Sequence, residues 1–370
     1  MIRRPPRSTP SNSSAASDVY KRQQIARLAG VSQPVVSSVI NNSPYNRPSP
    51  QTREKILKII RKYNFQPNLT AQSLKKGKTN SIGVTTGGAN FVRVFAHPYM
   101  SRIYAGIAAG LENTNYRLVF CHFKQIVTST DALQLASSRF ADGIIYILLS
   151  VYLKQFKKDK IVEEYNKLGI PYVIIHSLQQ DLGANSIGLD CVYGGMVATE
   201  HLIQHGYADQ GGIGFVQVNS NIPHINNLFK GYKKALKKHN IKFKAKFVYL
   251  AHGFHYSAGE EVVKQILQNK VLPRALLVSG SGLTFTLMKG LKKAGINVPD
   301  DIAIVGFDEY PMAEFVEPQI TYIEQPAFQK GREATLLLLK LIEAKEKRKK
   351  ESNLNVYLKP RLIIGKSCGC

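Results

Sequence analysis

Four groups of side chains in this sequence have types and spacings that could do chemistry. The first runs through Ser32, Gln33, Pro34, Ser37, Ser38 and Asn41, with Ser49, Thr52 and Arg53 shortly after. A glutamine amide carries a donor and an acceptor side by side, so Gln33 can bind adenine in bidentate fashion, and nearby serines can reach base edges or phosphates. Asn41, Thr52 and Arg53 suit contacts to the sugar-phosphate backbone. The second group is Thr86, Asp308 and Gln325, each at or just after the end of a short apolar run. A carboxylate there can accept hydrogen bonds from ligand hydroxyls or amines, or it can cap the turn that follows. The third is the pair His201 and His205, two imidazoles at i, i+4 on one helix face, and the fourth is Cys368-Gly369-Cys370.

The third and fourth groups are read here as bland. Glu200-His201 and His205 do not form H-E-x-x-H, so a surface helix accounts for them, and His252 and His255 fall in a loop. Cys368-Gly369-Cys370 reads as an exposed tail. Gly211-Gly212-Ile213-Gly214 is not a dinucleotide fingerprint, and neither a phosphate loop nor a nucleophile elbow occurs. No metal, cofactor or catalytic set is expected, which argues against an enzyme.

The elements that must position the first group are short helices. Ile25, Ala26 and Leu28 begin one, broken at Ala29-Gly30, where glycine takes positive φ without steric cost. Ser32 can cap a second helix, with Pro34 tolerated in its first turn. Val36, Val39 and Ile40 repeat at i, i+3 and i+4 and should face inward, leaving Gln33, Ser37, Ser38 and Asn41 near the outer face. Ser49-Pro50 restarts the chain as cap and first helical residue. Ile56, Ile59, Ile60 and Tyr63 make the apolar stripe of a third helix. Three short helices with a glycine turn between the first two read as a helix-turn-helix, a geometry that also serves protein-binding modules.

Beyond Ser81, short β-type runs alternate with helical ones. Examples are 82–84, 118–120, 143–147, 172–175, 212–216, 275–278 and 302–305, separated by helical stretches at 103–111, 194–205, 230–239 and 283–294. Such alternation implies an α/β, doubly wound architecture of parallel sheets covered on both faces, with ligands beyond the carboxyl ends of the strands. About 285 residues exceed one sheet core, so two lobes with a cleft are expected.

Composition sets the frame. The formal charge is +25, from 50 Lys+Arg against 25 Asp+Glu, which favours a polyanionic partner through Coulomb attraction and counterion release. Hydrophobic residues make up 44%, ample for a buried core, yet no run is long enough to span a bilayer. Four scattered cysteines do not make a disulfide framework and suit a reducing cytoplasm. Residues 1–22 are rich in Ser, Pro and Arg and lack an apolar secretory core; they read as a disordered leader resembling translated adaptor sequence, and so non-native. The chain stays strongly basic without them.

The residues Ala29-Gly30-Val31-Ser32, Val36-Ser37, Asn41, Thr52-Arg53-Glu54-Lys55, Pro67-Asn68, Ala71, Leu74 and Ile82-Gly83-Val84 together resemble the headpiece and hinge of the lactose/galactose-repressor family. The likeness continues through Asp190, Gly194-Gly195, His201-Leu202-Ile203, Gly206, Gly295, Val298-Pro299, Val305-Gly306-Phe307-Asp308, Gln325-Pro326 and Gly331. It implies a bacterial transcription regulator, a repressor acting as a homodimer on a palindromic double-stranded DNA operator. It also implies a periplasmic-binding-protein-like sensor of two lobes joined by three crossings, with a small, carbohydrate-like effector in the cleft. Asn68, Ala71 and Leu74 would then lie on a hinge helix that orders on DNA, with Leu74 wedged into the minor groove.

The organisation so implied is a leader at 1–22, a headpiece at 23–66, a hinge at 67–80, a sensor at 81–366 and a tail at 367–370. Lobe one takes 81–190 and 326–354, and lobe two takes 191–325 and 355–366. Departures from the family pattern are Val35 for Thr, Ser38 for Arg, Leu228 for an effector-binding Arg, and Gly280-Ser281 for Asn-Asp. The first two remove a hydroxyl and a cationic contact to the operator, and the last two leave open a ligand-independent regulator with a vestigial pocket. A solute-binding protein of the same bilobal fold would lack the headpiece.

Overall fold

The computed structural model describes residues 14–40, 43, 45, 47–65, 78–86, 97–121, 140–148, 162–163, 166, 169–177, 182–218, 222–253, 257–308, 312–348 and 353–370. The chain divides into two compact units, Met1–Asn80 and Ser81–Cys370.

The first unit holds three helices, α1 (Ser14–Ala29), α2 (Gln33–Ile40) and α3 (Pro50–Lys62). The first helix extends back into the leader, so residues 14–22 are helical rather than disordered. It stops where expected, at Gly30 with φ +70°. The Gly30 N–H donates to Arg27 O and the Val31 N–H to Ala26 O, the paired bonds that close a helix over a left-handed residue. Helix α3 ends in the same way over Asn64, φ 45°, with Phe65 N–H donating to Ile60 O. Its start is also as expected: the Ser49 hydroxyl accepts from Thr52 N–H at 3.2 Å, and Pro50 occupies the first turn. Ile25, Ala26, Ala29, Val36, Val39, Ile56 and Phe65 form the core of this unit. Leu28 stands at its exposed rim.

The second unit contains two six-stranded sheets. Its strands are β1 (Ser81–Thr86), β2 (Arg117–Cys121), β3 (Gly143–Ile147), β4 (Tyr172–Ile175), β5 (Ser186–Leu189), β6 (Ile213–Val218), β7 (Val248–Ala251), β8 (Ala275–Ser279), β9 (Ala303–Phe307), β10 (Thr321–Glu324), β11 (Asn355–Leu358) and β12 (Arg361–Ile363). The principal helices are α4 (Pro98–Leu111), α5 (Cys191–Gln204), α6 (Pro223–Lys238), α7 (Ala258–Leu267), α8 (Ser281–Lys293) and α9 (Ala327–Glu346). Sheet order is β11-β5-β4-β3-β1-β2 in lobe one and β12-β10-β9-β8-β6-β7 in lobe two. All pairings are parallel except that of β12 with β10. Both sheets are thus doubly wound, with the order reversing between β1 and β3 and between β6 and β8.

Burial on both faces explains why these strands read as unbroken apolar runs. In lobe one, Ile82, Val84, Ile145, Ile147, Val173 and Ile175 face α4 and α9, while Ile144, Tyr146 and Ile174 alternate with them into a second cluster. Lobe two has one continuous core running from Leu189 to Cys368.

The chain crosses between lobes at Asp190, at Gln325-Pro326 and at Lys359-Pro360. The third crossing falls later than the expected 354/355, because Asn355–Leu358 pairs with β5 and belongs to lobe one. The C-terminal segment is also not a free tail. Ser367 and Cys368 are fully buried, and Ser367 Oγ donates to Ile304 O at 2.7 Å while accepting from Thr321 N–H at 2.9 Å.

Each lobe seals one helix pair with glycines. A methyl group built on Gly195 in α5 would lie 2.1 Å from Leu228 O, and one on Gly231 in α6 would lie 2.1 Å from Val192 O. In lobe one, Gly106 in α4 and Gly331 in α9 stand in the same relation to Phe328 O and Ile103 O. Gly30 differs, since only its φ demands glycine and nothing lies within 4 Å of the missing methyl. Gly30→Ala should therefore cost the headpiece about 1–2 kcal/mol, whereas Gly195→Ala should cost the sensor about 3 kcal/mol or more, because backbone must move. Denaturant unfolding followed by circular dichroism would check this; an unchanged sensor midpoint in Gly195→Ala would refute the close helix contact.

Candidate nucleic-acid interface and effector cleft

In the headpiece, burial of Val36 and Val39 orients α2. Pro34 and Ser32 are exposed, and Gln33 and Ser37 are half-buried, so these four remain on the accessible side of the unit. Ser38 does not. It is 6% exposed, packed beside Val39 against the other helices, which removes it from the outer face where the sequence reading put it. The physical reason is angular: Ser38 follows Val35 by three residues, and Val35 itself lines the core edge. At the start of α3, Ser49 is exposed, but its hydroxyl is bonded to Thr52 N–H and lies 2.9 Å from Thr52 Oγ1, so both side chains hold the helix start. Arg53 follows, half-buried. Asn41, Asn68, Ala71 and Leu74 lie outside the described residues.

In the sensor, the doubly wound order puts the carboxyl ends of β1 and β8 beside the points where strand order reverses. The last residues of these strands are Thr86 and Ser279, 7% and 2% exposed. Among the described residues, neither hydroxyl has a hydrogen-bond partner, an arrangement that a folded chain tolerates chiefly where a ligand or water completes it. Asp308 follows β9 with φ +151°, a conformation that disfavours a side chain by about 1–3 kcal/mol and is concentrated at functional positions. Its carboxylate is held from two sides. Gln325 Nε2 donates to Oδ1 at 2.9 Å and Ser281 Oγ donates to Oδ2 at 3.5 Å. The structure thus brings Asp308 and Gln325 together and adds Ser281, which the sequence reading counted as a loss.

Leu228, at the other departure, is fully buried in the core of lobe two. It serves packing, with its carbonyl against Gly195.

One residue near the cleft was missed. Lys330, in the first turn of α9, is fully buried. Its ammonium donates to Tyr99 Oη at 2.7 Å, to His176 O at 2.8 Å and to Ser177 Oγ at 3.4 Å, so all three protons are used within lobe one. Burial and this ammonium together push the His224 imidazole of lobe two down to about 4, so it is neutral near pH 7. Lysine in the first turn of a helix carries no sequence mark of burial. Only the packing of α4 and β4 around it reveals the role.

Across the lobes, the buried carboxylate of Glu324 pairs with Arg361 and stands 3.8 Å from Arg102 of α4. The crossings are thereby tied by charge as well as by chain.

Comparison with known proteins agrees with this geometry. Residues 23–68 match the bacterial regulatory proteins of the lacI family, and residues 199–368 match the periplasmic binding protein-like domain. The chain is 26% identical over 346 residues to an HTH-type transcriptional repressor PurR of Photobacterium profundum, covering 93% of this chain and 97% of that protein. Its fold superposes on a Lac repressor dimer bound to operator and the anti-inducer ONPF with a TM-score of 0.76 at 22% identity, covering 93% and 97% of the two chains. It superposes on a transcriptional regulator CelR–cellobiose complex with a TM-score of 0.63 at 23% identity, covering 94% and 99%. A helix-turn-helix unit capped over Gly30 and two doubly wound lobes with three crossings therefore correspond to a DNA-binding domain of the lacI family of bacterial regulatory proteins, joined to a periplasmic-binding-protein-like domain.

Proposed function

We propose that the protein is a transcriptional repressor that binds a palindromic operator as a homodimer and is modulated by a carbohydrate-like effector in the interlobe cleft. The observation that carries the DNA half is the orientation of α2: its apolar residues are buried and Gln33, Pro34 and Ser37 stand on the accessible side. In this reading Gln33 reads a base, Ser32 and Ser37 contact base edges or phosphate, and Arg53 clamps the backbone. Asn41, Asn68, Ala71 and Leu74 complete the contact from the end of α2 and the hinge. The excess of positive charge supports a polyanionic partner. The similar proteins are named as repressors and regulators, which supports a non-enzymatic, cytoplasmic role.

The effector half rests on chemistry at the strand ends. Among the described residues, the Thr86 and Ser279 hydroxyls, which lack hydrogen-bond partners, and the Asp308–Gln325–Ser281 cluster offer several acceptors and donors. A hydroxyl-rich molecule can satisfy such a set. The cellobiose complex of a similar fold supports the same class. Effector binding acts on DNA only through its different affinity for the open and closed arrangements of the lobes. A ligand-independent regulator is the competing reading, favoured by Leu228 filling the core where the family pattern has Arg.

Selection of duplexes from a random pool by the full chain, followed by titration at several salt concentrations, tests the first half. A palindrome should be enriched, and no preference over random duplex would end the reading. Gln33→Ala should lower discrimination by about 1–3 kcal/mol at one base position. Arg53→Ala should instead weaken all sequences alike and reduce the salt slope by about one. Leu74→Ala should weaken operator binding while sparing salt-dependent binding to random duplex; equal loss of both would assign it to headpiece stability. For the second half, calorimetry against sugars and nucleosides should find a ligand whose affinity falls at least about tenfold in Asp308→Asn, a loss of one charge-assisted hydrogen bond. Absence of any heat from such a panel would favour the ligand-independent regulator.

A further inference from the structure

The bland reading of His201, His205, Cys368 and Cys370 does not survive folding. His201 is 8% exposed rather than on a surface face, and Cys368 is fully buried. The two segments are some 165 residues apart in sequence, yet Cys370 Sγ lies 3.2 Å from His205 Nε2 and 3.4 Å from His201 Nε2. The ligand atoms of His201, Cys368 and Cys370 all fall within 4.8 Å of one another. We propose that these four side chains form a structural zinc site of the Cys2His2 type, with the cysteines as thiolates.

The two edges that run from Cys370 fit the ion. Zinc at about 2.3 Å from sulfur and about 2.0–2.1 Å from nitrogen in a tetrahedron separates S from N by about 3.5 Å. The two Cys370–His distances match that edge. His201 and His205 share a helix face at the spacing of histidine pairs in zinc modules, and their rings stand edge to face 4.7 Å apart. A single residue between two cysteine ligands is a tight spacing, and the structure supplies the turn it needs. Gly369 has φ +80°, and a methyl group there would sit 2.4 Å from Tyr207 Oη.

The surroundings are built to hold the sulfurs in place. Tyr207 Oη donates to Cys368 O at 2.7 Å, and Thr321 Oγ1 donates to Cys368 Sγ at 3.0 Å, a bond that favours the thiolate. Four protein ligands close the coordination sphere, so the ion would act as a clasp and not as a catalyst. It would tie the last turn of α5 to the segment that runs from β12 along lobe two. Cys368 and Cys370 are paired as a disulfide in this structure. Zinc needs the same two sulfurs as thiolates about 3.8 Å apart, so the bond and the ion are mutually exclusive occupants.

The test uses the full chain, stripped with a chelator and reduced with a phosphine, titrated with cobalt(II) and then with zinc. One cobalt per chain should bind, with thiolate-to-metal charge-transfer absorption and the intense ligand-field bands of a tetrahedral ion, and zinc should displace it. Cys370→Ser and His205→Asn, both at exposed positions, should keep the circular dichroism of the parent and lose at least about tenfold in affinity. The oxidised chain should take up none. In the unaltered reduced chain, zinc should also slow alkylation of Cys370. Cobalt uptake without thiolate absorption, uptake unchanged in both variants, equal binding by the oxidised chain, or no stoichiometric uptake would each overturn the proposal.

Discussion

A parallel sheet buried on both faces has no place for a polar side chain except beyond the ends of its strands. That constraint organises the larger unit of this protein. Val84 and Ile145 face one set of helices, and Ile144 and Tyr146 face another layer, so the strand interiors are largely apolar. A set of polar groups lies at the carboxyl ends: Thr86 on β1, His176 after β4, Asp190 after β5, Ser279 on β8, Asp308 after β9 and Gln325 after β10. Because strand order reverses in each sheet, the helices leave opposite faces there and open a crevice between them. Asp308 accepts an unfavourable backbone conformation at that rim and is held by Gln325 and Ser281.

The same strand ends carry the crossings. Asp190 caps α5 through Tyr193 N–H at 2.9 Å at the first crossing, and Gln325 sits at the second. Glu324, one residue earlier, is buried and paired with arginines from β12 and from α4. A buried carboxylate is tolerated only with such partners, and removing one leaves a charge in a poor dielectric. Lys330 poses the same problem with the opposite sign, solved by three neutral acceptors. These charged and polar groups therefore lie beside the crossings themselves.

The headpiece obeys a different constraint. Its core is small, so local signals must do more of the specifying. Left-handed caps at Gly30 and Asn64 and the Ser49 cap with Pro50 set the ends of the helices, and seven buried residues lock their angles.

Much of this was legible in the residues alone. Helix starts and stops around Gly30, Ser49 and Pro50 follow from φ preferences and unsatisfied backbone groups, which are local properties. Runs such as Gly143–Ile147 and Tyr172–Ile175 declare buried strands because burial on both faces demands continuous apolarity, and alternation with helices declares the parallel sheets. The placement of Asp308 and Gln325 at strand ends followed from the same patterns. What sequence could not settle depends on groups distant along the chain. Asn355–Leu358 looks like any edge segment until β5 pairs with it, and Ser38 looks outward until α1 and α3 close on α2. Lys330 is an ordinary helix-start lysine until Tyr99 and His176 surround it. His201, His205, Cys368 and Cys370 are two unremarkable pairs until β12 returns the chain to the end of α5. Periodicity records what a residue's near neighbours require. Burial and proximity record where distant segments come to rest, and that is decided by the packing of whole layers.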